Sequence, residues 1–278
     1  MKFDDIQFNE INLPNHGIYQ IPLEKSDIDN LYTIVKKYSP KEVVWEDNTI
    51  TRIDSKCQQW GLFDDNKTFQ TNVLEKILHK YLQTYKTPVE FLTTHAHRFT
   101  FNRFWCNATT KGQYQALHNH DAIFSFVIWL EIPYDMDDER AIQDQMHPQA
   151  GEFGFVYTDI TGRVRTKSLE QSKCHSGTML FFPSTTNHNV YPFYSTDKVR
   201  ISCSGDISLA SQFIHGSLNP PMFDLPGKCG IPPQELERLN SYNSQEMVVS
   251  DPLFPHLNQH DIDRLCSSMG QSESYQHT

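Results

Sequence analysis

Three histidines stand at spacings that suit a metal site. His118 and His120 are one residue apart in QYQALHNHDAIFSFVIWL, and His188 lies farther along in GTMLFFPSTTNHNV. Side chains two residues apart in a strand share a face, so the first two can reach one ion. An HxH pair alone is weak evidence in a chain with 13 histidines, because it also suits the polar end of a hairpin strand. The distal His188 makes a metal site the better hypothesis.

A basic residue and a hydroxyl share one face of a later strand. Arg200 and Ser202 stand two residues apart in KVRISCSGD, which is otherwise rich in apolar side chains. A cation that faces the core is costly unless it meets an anion. A buried carboxylate ligand would satisfy both side chains.

The elements that must position these residues are mostly short strands. We predict a strand over 17–22, a helix capped by Ser26 or Asp27, and a second helix from about Asn72 to Tyr85. From Val89 onward strand patterns follow one another without an intervening helix, which indicates a β sandwich or barrel. A hairpin should turn at Thr161-Gly162, and residues 134–150 read as an acidic surface loop.

Composition excludes several classes of protein. The 278 residues carry a formal charge of −10, which argues against nucleic acid as a partner. No apolar stretch approaches the roughly 20 residues that span a bilayer, and the N-terminal residues do not read as a signal peptide. The six cysteines form no CxxC pair, so we expect reduced thiols and a cytoplasmic protein.

Over residues 100–208 the sequence resembles the iron(II)/2-oxoglutarate-dependent oxygenases. It is most similar to the branch found in phages and marine microbes that is described as prolyl-hydroxylase-like. The resemblance is carried, in order, by FWCNATTKGQYQALHNHDAIFSFVIWLEIP, GEFGF, GTMLFFPSTTNHNV and VRISCSGDI. It implies a mainly β protein with flanking helices, built on a double-stranded β-helix of the jelly-roll or cupin-like kind.

The resemblance also implies roles for individual residues. His118 and His188 would bind iron(II), and Arg200 with Ser202 would anchor the far carboxylate of the cosubstrate 2-oxoglutarate, with O2 as the oxidant. Asn107 and Tyr114 are further candidates for contact with 2-oxoglutarate. Trp105 would face the same way as Asn107 and wall the pocket.

The second metal ligand departs from the family pattern. Most members have HxD or HxE, which leaves three iron positions open, whereas here His120 stands at that position and the carboxylate is next to it at Asp121. Strand alternation favours His120, giving a site of three histidines. A strand irregularity could instead turn Asp121 inward, or Asp121 could accept the second N–H of a ligand histidine.

Two other readings remain open. Gly112-x5-His118-x-His120 and Gly177-x5-Pro183 also resemble cupin motifs, so a three-histidine dioxygenase or isomerase that does not use 2-oxoglutarate is an alternative. The glutamate and the terminal asparagine of those motifs are missing. A β-sandwich binding protein without catalytic activity is the third reading.

The favoured hypothesis is an oxygenase that oxidises a C–H bond of a small-molecule or amino-acid-like substrate, by hydroxylation, cyclisation or desaturation, and releases succinate and CO2. We expect an N-terminal α/β segment over 1–88, a catalytic core over 89–207 and an extension over 208–278, together in one compact domain. The extension would serve as a lid, in oligomerisation or at the substrate entrance. A homo-oligomer is among the expected partners, and a membrane is not.

Overall fold

The computed structural model of the chain describes residues 17–85, 97–142, 148–209 and 245–249. The helices are α1 (Lys25–Lys37), α2 (Glu75–Thr84) and α3 (Met136–Ile142), with a turn of π-helix at Gln70–Leu74 and 3-10 turns at Ser55–Cys57 and Lys173–His175. The strands are β1 (Tyr19–Pro22), β2 (Val44–Glu46), β3 (Thr49–Arg52), β4 (Gln59–Gly61), β5 (His97–Thr109), β6 (Gln115–His118), β7 (Phe124–Glu131), β8 (Glu152–Thr158), β9 (Val164–Glu170), β10 (Thr178–Pro183), β11 (Asn187–Val190), β12 (Arg200–Leu209) and β13 (Gln245–Val249). In these ranges, no helix combines the length and the apolar character needed to cross a membrane.

The strands form two main antiparallel sheets. The larger sheet has the order β1-β10-β7-β12-β5-β13, with β4 also paired to β5, and the smaller one has the order β6-β11-β8-β9. Between β5 and β12 the chain passes repeatedly from one sheet to the other, with a single hairpin, β8–β9, inside the smaller sheet. This winding is a double-stranded β-helix, so the predicted fold class is confirmed.

Strand β7 separates two hydrophobic cores. Its side chains alternate, so Val127 and Trp129 pack with Phe153 of β8 and Phe182 of β10 between the two sheets. Its other face packs against the helical layer, where the buried residues include Phe126, Ile128, Leu31, Val35 and Leu78. A strand that is buried on both faces reads as a continuous apolar run, which is the pattern of IFSFVIWL.

The N-terminal segment contributes strands to the large sheet. Strand β1 pairs with β10, and β4 pairs with β5 so that Gln59 lies opposite Asn107. The division of the chain into three segments stays a prediction. Most of the extension lies outside the described residues.

Helix α3 was missed by the prediction of a surface loop over 134–150. Its first turn carries Asp137, Asp138 and Glu139, and acidic side chains stabilise a helix N-terminus. Glu139 is fully buried and accepts hydrogen bonds from the backbone N–H groups of Tyr194 and Ser195 at 2.8 Å. The acidic composition that reads as a solvated loop therefore includes a structural carboxylate.

Two smaller expectations also need correction. Helix α1 begins at Lys25 after Glu24, without a side-chain cap, so Ser26 and Asp27 lie inside its first turn. Cys57 is disulfide-bonded, so the prediction of reduced thiols is wrong at that position. It holds for Cys106, Cys174 and Cys203, which are free.

The predicted hairpin turn is present. Gly162 has a φ of 80°, in the left-handed region that glycine adopts easily. The Asp159 carboxylate accepts hydrogen bonds from the backbone N–H groups of Thr161 and Arg163 and so closes the turn.

Gly205 of β12 has no room for a side chain. A Cβ there would lie 2.5 Å from Phe126 Cζ and 2.8 Å from the Arg103 carbonyl oxygen. We therefore expect Gly205→Ala to lower the free energy of unfolding by about 1–3 kcal/mol, measured from urea midpoints. The control is Thr166→Ala on the exposed strand β9, which should change it by less than about 0.5 kcal/mol. Equal midpoints for the two variants would contradict this packing.

Candidate metal and cosubstrate site

The pairing of β6 with β11 brings two of the three histidines together. His118 lies directly opposite His188 in the antiparallel register. Strand β6 ends at His118, and the backbone N–H of His120 then donates to the Ser184 carbonyl oxygen at 3.0 Å. This bond holds the departing chain beside the loop that precedes β11, so His120 lies next to the other two rings.

The three imidazole rings form one cluster. Ring centroids lie 4.3 Å apart for His118 and His188, 5.2 Å for His120 and His188, and 5.3 Å for His118 and His120. One potential ligand atom from each ring lies within 4.8 Å of the other two. Asp121 is exposed and is not part of the cluster.

Hydrogen bonds determine which nitrogen of each ring could bind a metal. Nδ1 of His118 lies 2.7 Å from the Ala116 carbonyl oxygen, Nδ1 of His188 lies 2.9 Å from that of Thr186, and Nδ1 of His120 lies 2.6 Å from Asp206 Oδ1. Carbonyl and carboxylate oxygens only accept, so each Nδ1 must carry the proton and donate it. Each Nε2 is left with a lone pair, as metal coordination requires.

Apolar packing keeps His188 uncharged. Its ring stacks on Phe153 at 5.6 Å and meets Phe182 edge-on at 5.1 Å. Burial lowers the pKa of His188 to about 4. At neutral pH the ring is therefore in the neutral form that binds metals.

Asp206 is the carboxylate that contacts the cluster, and the sequence reasoning missed it. It is 1% exposed, and its Oδ1 accepts from both His120 Nδ1 at 2.6 Å and Ser125 Oγ at 2.7 Å. Strand alternation could have identified it, because Asp206 lies on the same face as Arg200 and Ser202, four residues beyond Ser202. The contact considered for Asp121, with the second N–H of a cluster histidine, is made in the structure by Asp206.

The inner face of β12 also carries Arg200, which is 2% exposed. Its Nη1 donates to Tyr134 Oη at 2.9 Å and its guanidinium lies 5.3 Å from the centre of the Phe193 ring. In the described part of the chain, Arg200 forms no ion pair with a carboxylate. A buried cation without an acidic partner is costly, which makes this position suited to an anionic ligand.

Asn107 and Ser202 lie beside this position on neighbouring strands. They are register partners across β5 and β12, and both are buried. Gln59 Nε2 donates to Asn107 Oδ1 at 2.8 Å, which leaves the Asn107 amide nitrogen to donate toward the space between the sheets, where Ser204 Oγ lies 3.4 Å away. Sequence reasoning did not identify Gln59, because its contact with Asn107 depends on the pairing of β4 with β5.

The two aromatic candidates differ in their surroundings. Trp105 stacks on His120 with ring centroids 5.6 Å apart, so it lies beside the histidine cluster. Tyr114 is 53% exposed and packs against Tyr191 at 6.0 Å.

The donor set fits iron(II). Three imidazole nitrogens suit a first-row divalent metal and leave coordination positions open for other ligands. The buried guanidinium of Arg200, together with the Ser202 hydroxyl and the Asn107 amide, offers hydrogen-bond donors for a dicarboxylate.

Residues 103–206 match the family model described as "Putative 2OG-Fe(II) oxygenase". Over these residues the chain is similar to the 2OG-Fe(II) oxygenases. Enzymes of this family are oxidoreductases that use Fe(II), 2-oxoglutarate and O2. The matched residues run from Arg103 to Asp206 and include all three histidines and Arg200. No curated protein matches the chain in sequence.

Three solved structures are similar at low identity. The chain is 17% identical to a 2OG-Fe(II) oxygenase family oxidoreductase from Burkholderia pseudomallei, with a TM-score of 0.41, over 69% of this chain and 85% of that one. A Pseudomonas putida prolyl-4-hydroxylase is 15% identical, with a TM-score of 0.41, over 70% and 89% of the two chains. The carbocyclase SnoK from nogalamycin biosynthesis is 8% identical, with a TM-score of 0.41, over 70% and 79%.

The cluster predicts one metal site per chain. We expect wild-type protein to bind one Co(II), and His118→Ala or His188→Ala to weaken binding by more than about 100-fold, since losing a ligand should exceed the 10–100-fold effect of losing an outer partner. The visible absorption of bound Co(II) measures the occupancy.

The neighbouring pair His120 and Asp121 supplies the matched control. Asp121→Ala should bind Co(II) like the wild type, whereas His120→Ala should not. The reverse result would show that the carboxylate, rather than the imidazole, is the second ligand.

Proposed function

We propose that this oxygenase binds iron(II) through His118, His120 and His188 and uses 2-oxoglutarate to oxidise a C–H bond of a small-molecule or amino-acid-like substrate. Hydroxylation is the proposed outcome, with cyclisation and desaturation as variants, and succinate and CO2 as co-products. The observation that carries the proposal is a buried Arg200 that has no carboxylate partner among the described residues. It lies on the inner face of the same barrel strand whose Asp206 contacts the histidine cluster.

The three histidines would bind the metal from one side and leave its other coordination positions open. Their Nδ1–H groups are committed to protein oxygens, so the rings cannot rotate freely and the Nε2 atoms stay convergent. When bound, iron(II) with 2-oxoglutarate and O2 supplies the oxidising power, as 2-oxoglutarate loses CO2 to become succinate and one oxygen atom passes to the substrate. The chain supplies the orientation of these groups.

Arg200 would bind the distal carboxylate of 2-oxoglutarate. Charge-assisted hydrogen bonds from a planar guanidinium select both the charge and the orientation of a carboxylate. Tyr134 and Phe193 hold the guanidinium in place on its other side. Ser202 and Asn107 would add hydrogen bonds along the cosubstrate. Tyr114 is left out of this set, because its side chain is 53% exposed.

The substrate would approach beside His118. Its side chain is exposed, whereas His188 is buried, so the cluster opens to solvent on the β6 side. Trp105, stacked on His120, offers an apolar wall next to that opening.

Several finer expectations stay predictions. A small-molecule or amino-acid-like substrate is proposed, with a peptide as a variant and a nucleic acid disfavoured by the formal charge of −10. Self-association, the cytoplasmic location and the role of residues 208–278 are likewise predictions.

Removing the charge of Arg200 tests the cosubstrate role. We expect Arg200→Gln to weaken 2-oxoglutarate binding to the iron(II) protein by about 30-fold or more, because losing one partner of a buried charge pair costs roughly 2–5 kcal/mol. Anaerobic titration calorimetry measures the affinity, and iron(II) binding itself should not change.

The matched control is Arg165→Gln. Arg165 is exposed on β9, where its Nε pairs with Asp159 at 2.8 Å, so its loss should leave 2-oxoglutarate affinity unchanged. Iron(II) binding without any 2-oxoglutarate binding would reject the proposal and favour the three-histidine cupin alternative.

A further inference from the structure

Asp206 has a position that suggests a role beyond holding a ring. We infer that Asp206 supplies, through His120, the negative charge that a carboxylate ligand would otherwise give the metal. The inference rests on the proposed function, because it requires a metal ion at the three histidines.

The contact between Asp206 and His120 is short and buried. The carboxylate is 1% exposed, and its Oδ1 lies 2.6 Å from His120 Nδ1. Ser125 Oγ donates to the same oxygen at 2.7 Å and lies 2.8 Å from Ser184 Oγ. The Asp206 contact restrains the His120 ring within its plane, and the stacked Trp105 restrains it perpendicular to that plane. The ring is therefore fixed beside the other two histidines, with Nδ1 on Asp206.

The charge balance gives this contact its significance. Three neutral imidazoles leave both positive charges of a divalent ion uncompensated, whereas a set of two histidines and one carboxylate removes one of them. A hydrogen bond to a carboxylate raises the basicity of a ligand histidine. Asp206 would thus be connected to the metal through its hydrogen bond to His120. Its negative charge would act on the metal through the His120 ring.

The second oxygen of Asp206 also fits this role. Among the described residues, Oδ2 accepts no hydrogen bond, and Arg103 Nη1 lies 3.7 Å from it. The Arg103 side chain is 46% exposed, so solvent screens its charge and its pairing with Asp206 is weak. A buried carboxylate is costly without a cation, and a divalent ion at the histidine cluster would supply one.

The test separates the charge of Asp206 from its shape. Asp206→Asn keeps an acceptor oxygen for His120 and Ser125 but removes the charge. We expect it to weaken iron(II) binding by about 10–100-fold, measured anaerobically against a competing chelating dye on protein whose fold is checked by circular dichroism. Asp206→Ala, which also removes the acceptor, should weaken it at least as much.

Two comparisons make the result decisive. Asp64→Asn removes another buried carboxylate, which accepts from the backbone N–H of Gln70, and should leave iron(II) affinity unchanged. Asp206→Glu and Asp206→Gln are nearly equal in size and both keep an acceptor oxygen, but only the Glu variant keeps the charge. The Glu variant should therefore bind iron(II) more tightly by a similar factor, even if Asp206→Asn does not fold.

The outcomes distinguish this inference from the proposed function. Wild-type affinity in Asp206→Asn, or equal affinities for the Glu and Gln variants, would overturn the role of the charge while leaving the metal site in place. Failure of the wild type to bind iron(II) would instead overturn the proposed function, and this inference with it.

Discussion

The alternation of side chains along β12 is the constraint that the site depends on. Four polar residues point between the sheets at a period of two: Arg200, Ser202, Ser204 and Asp206. Arg200 and Asp206 lie about 20 Å apart along the strand at a rise of about 3.3 Å per residue. One strand therefore carries both the proposed carboxylate anchor and the carboxylate that orients a metal ligand. A one-residue change of register would turn all four residues out of the barrel.

Much of this site could be predicted from residue types and strand alternation. Strand alternation put His118 and His120 on one face and Arg200 and Ser202 on one face, and the run of strands without helices predicted the barrel. The meeting of His118 with His188 was predicted only through the resemblance to a family. Periodicity could not give it, because it depends on how β6 and β11 pair across 70 residues of chain. The contact between Gln59 and Asn107 could not be predicted from periodicity either, because β4 lies far from β5 in the sequence.

Two acidic positions show where pattern reasoning reaches its limit. The charged run that forms α3 reads as solvated surface, yet Glu139 is buried because the backbone N–H groups of Tyr194 and Ser195 need an acceptor. Asp121 is the carboxylate next to His120 in the sequence, but it lies beyond the end of β6 and is exposed. The carboxylate that contacts His120 is Asp206, 86 residues away. Local sequence predicts the face of a strand or helix on which a side chain lies. It is less able to predict which residue that side chain contacts.

The central claim is that a three-histidine site in this barrel binds iron(II) and 2-oxoglutarate together. The most direct test is the visible absorption of the anaerobic wild-type protein during titration with both. Chelation of iron(II) by the 2-oxo acid produces a charge-transfer band that neither component shows alone, and we expect that band at one equivalent of each per chain. Iron(II) bound at the histidines with no band at saturating 2-oxoglutarate would contradict it.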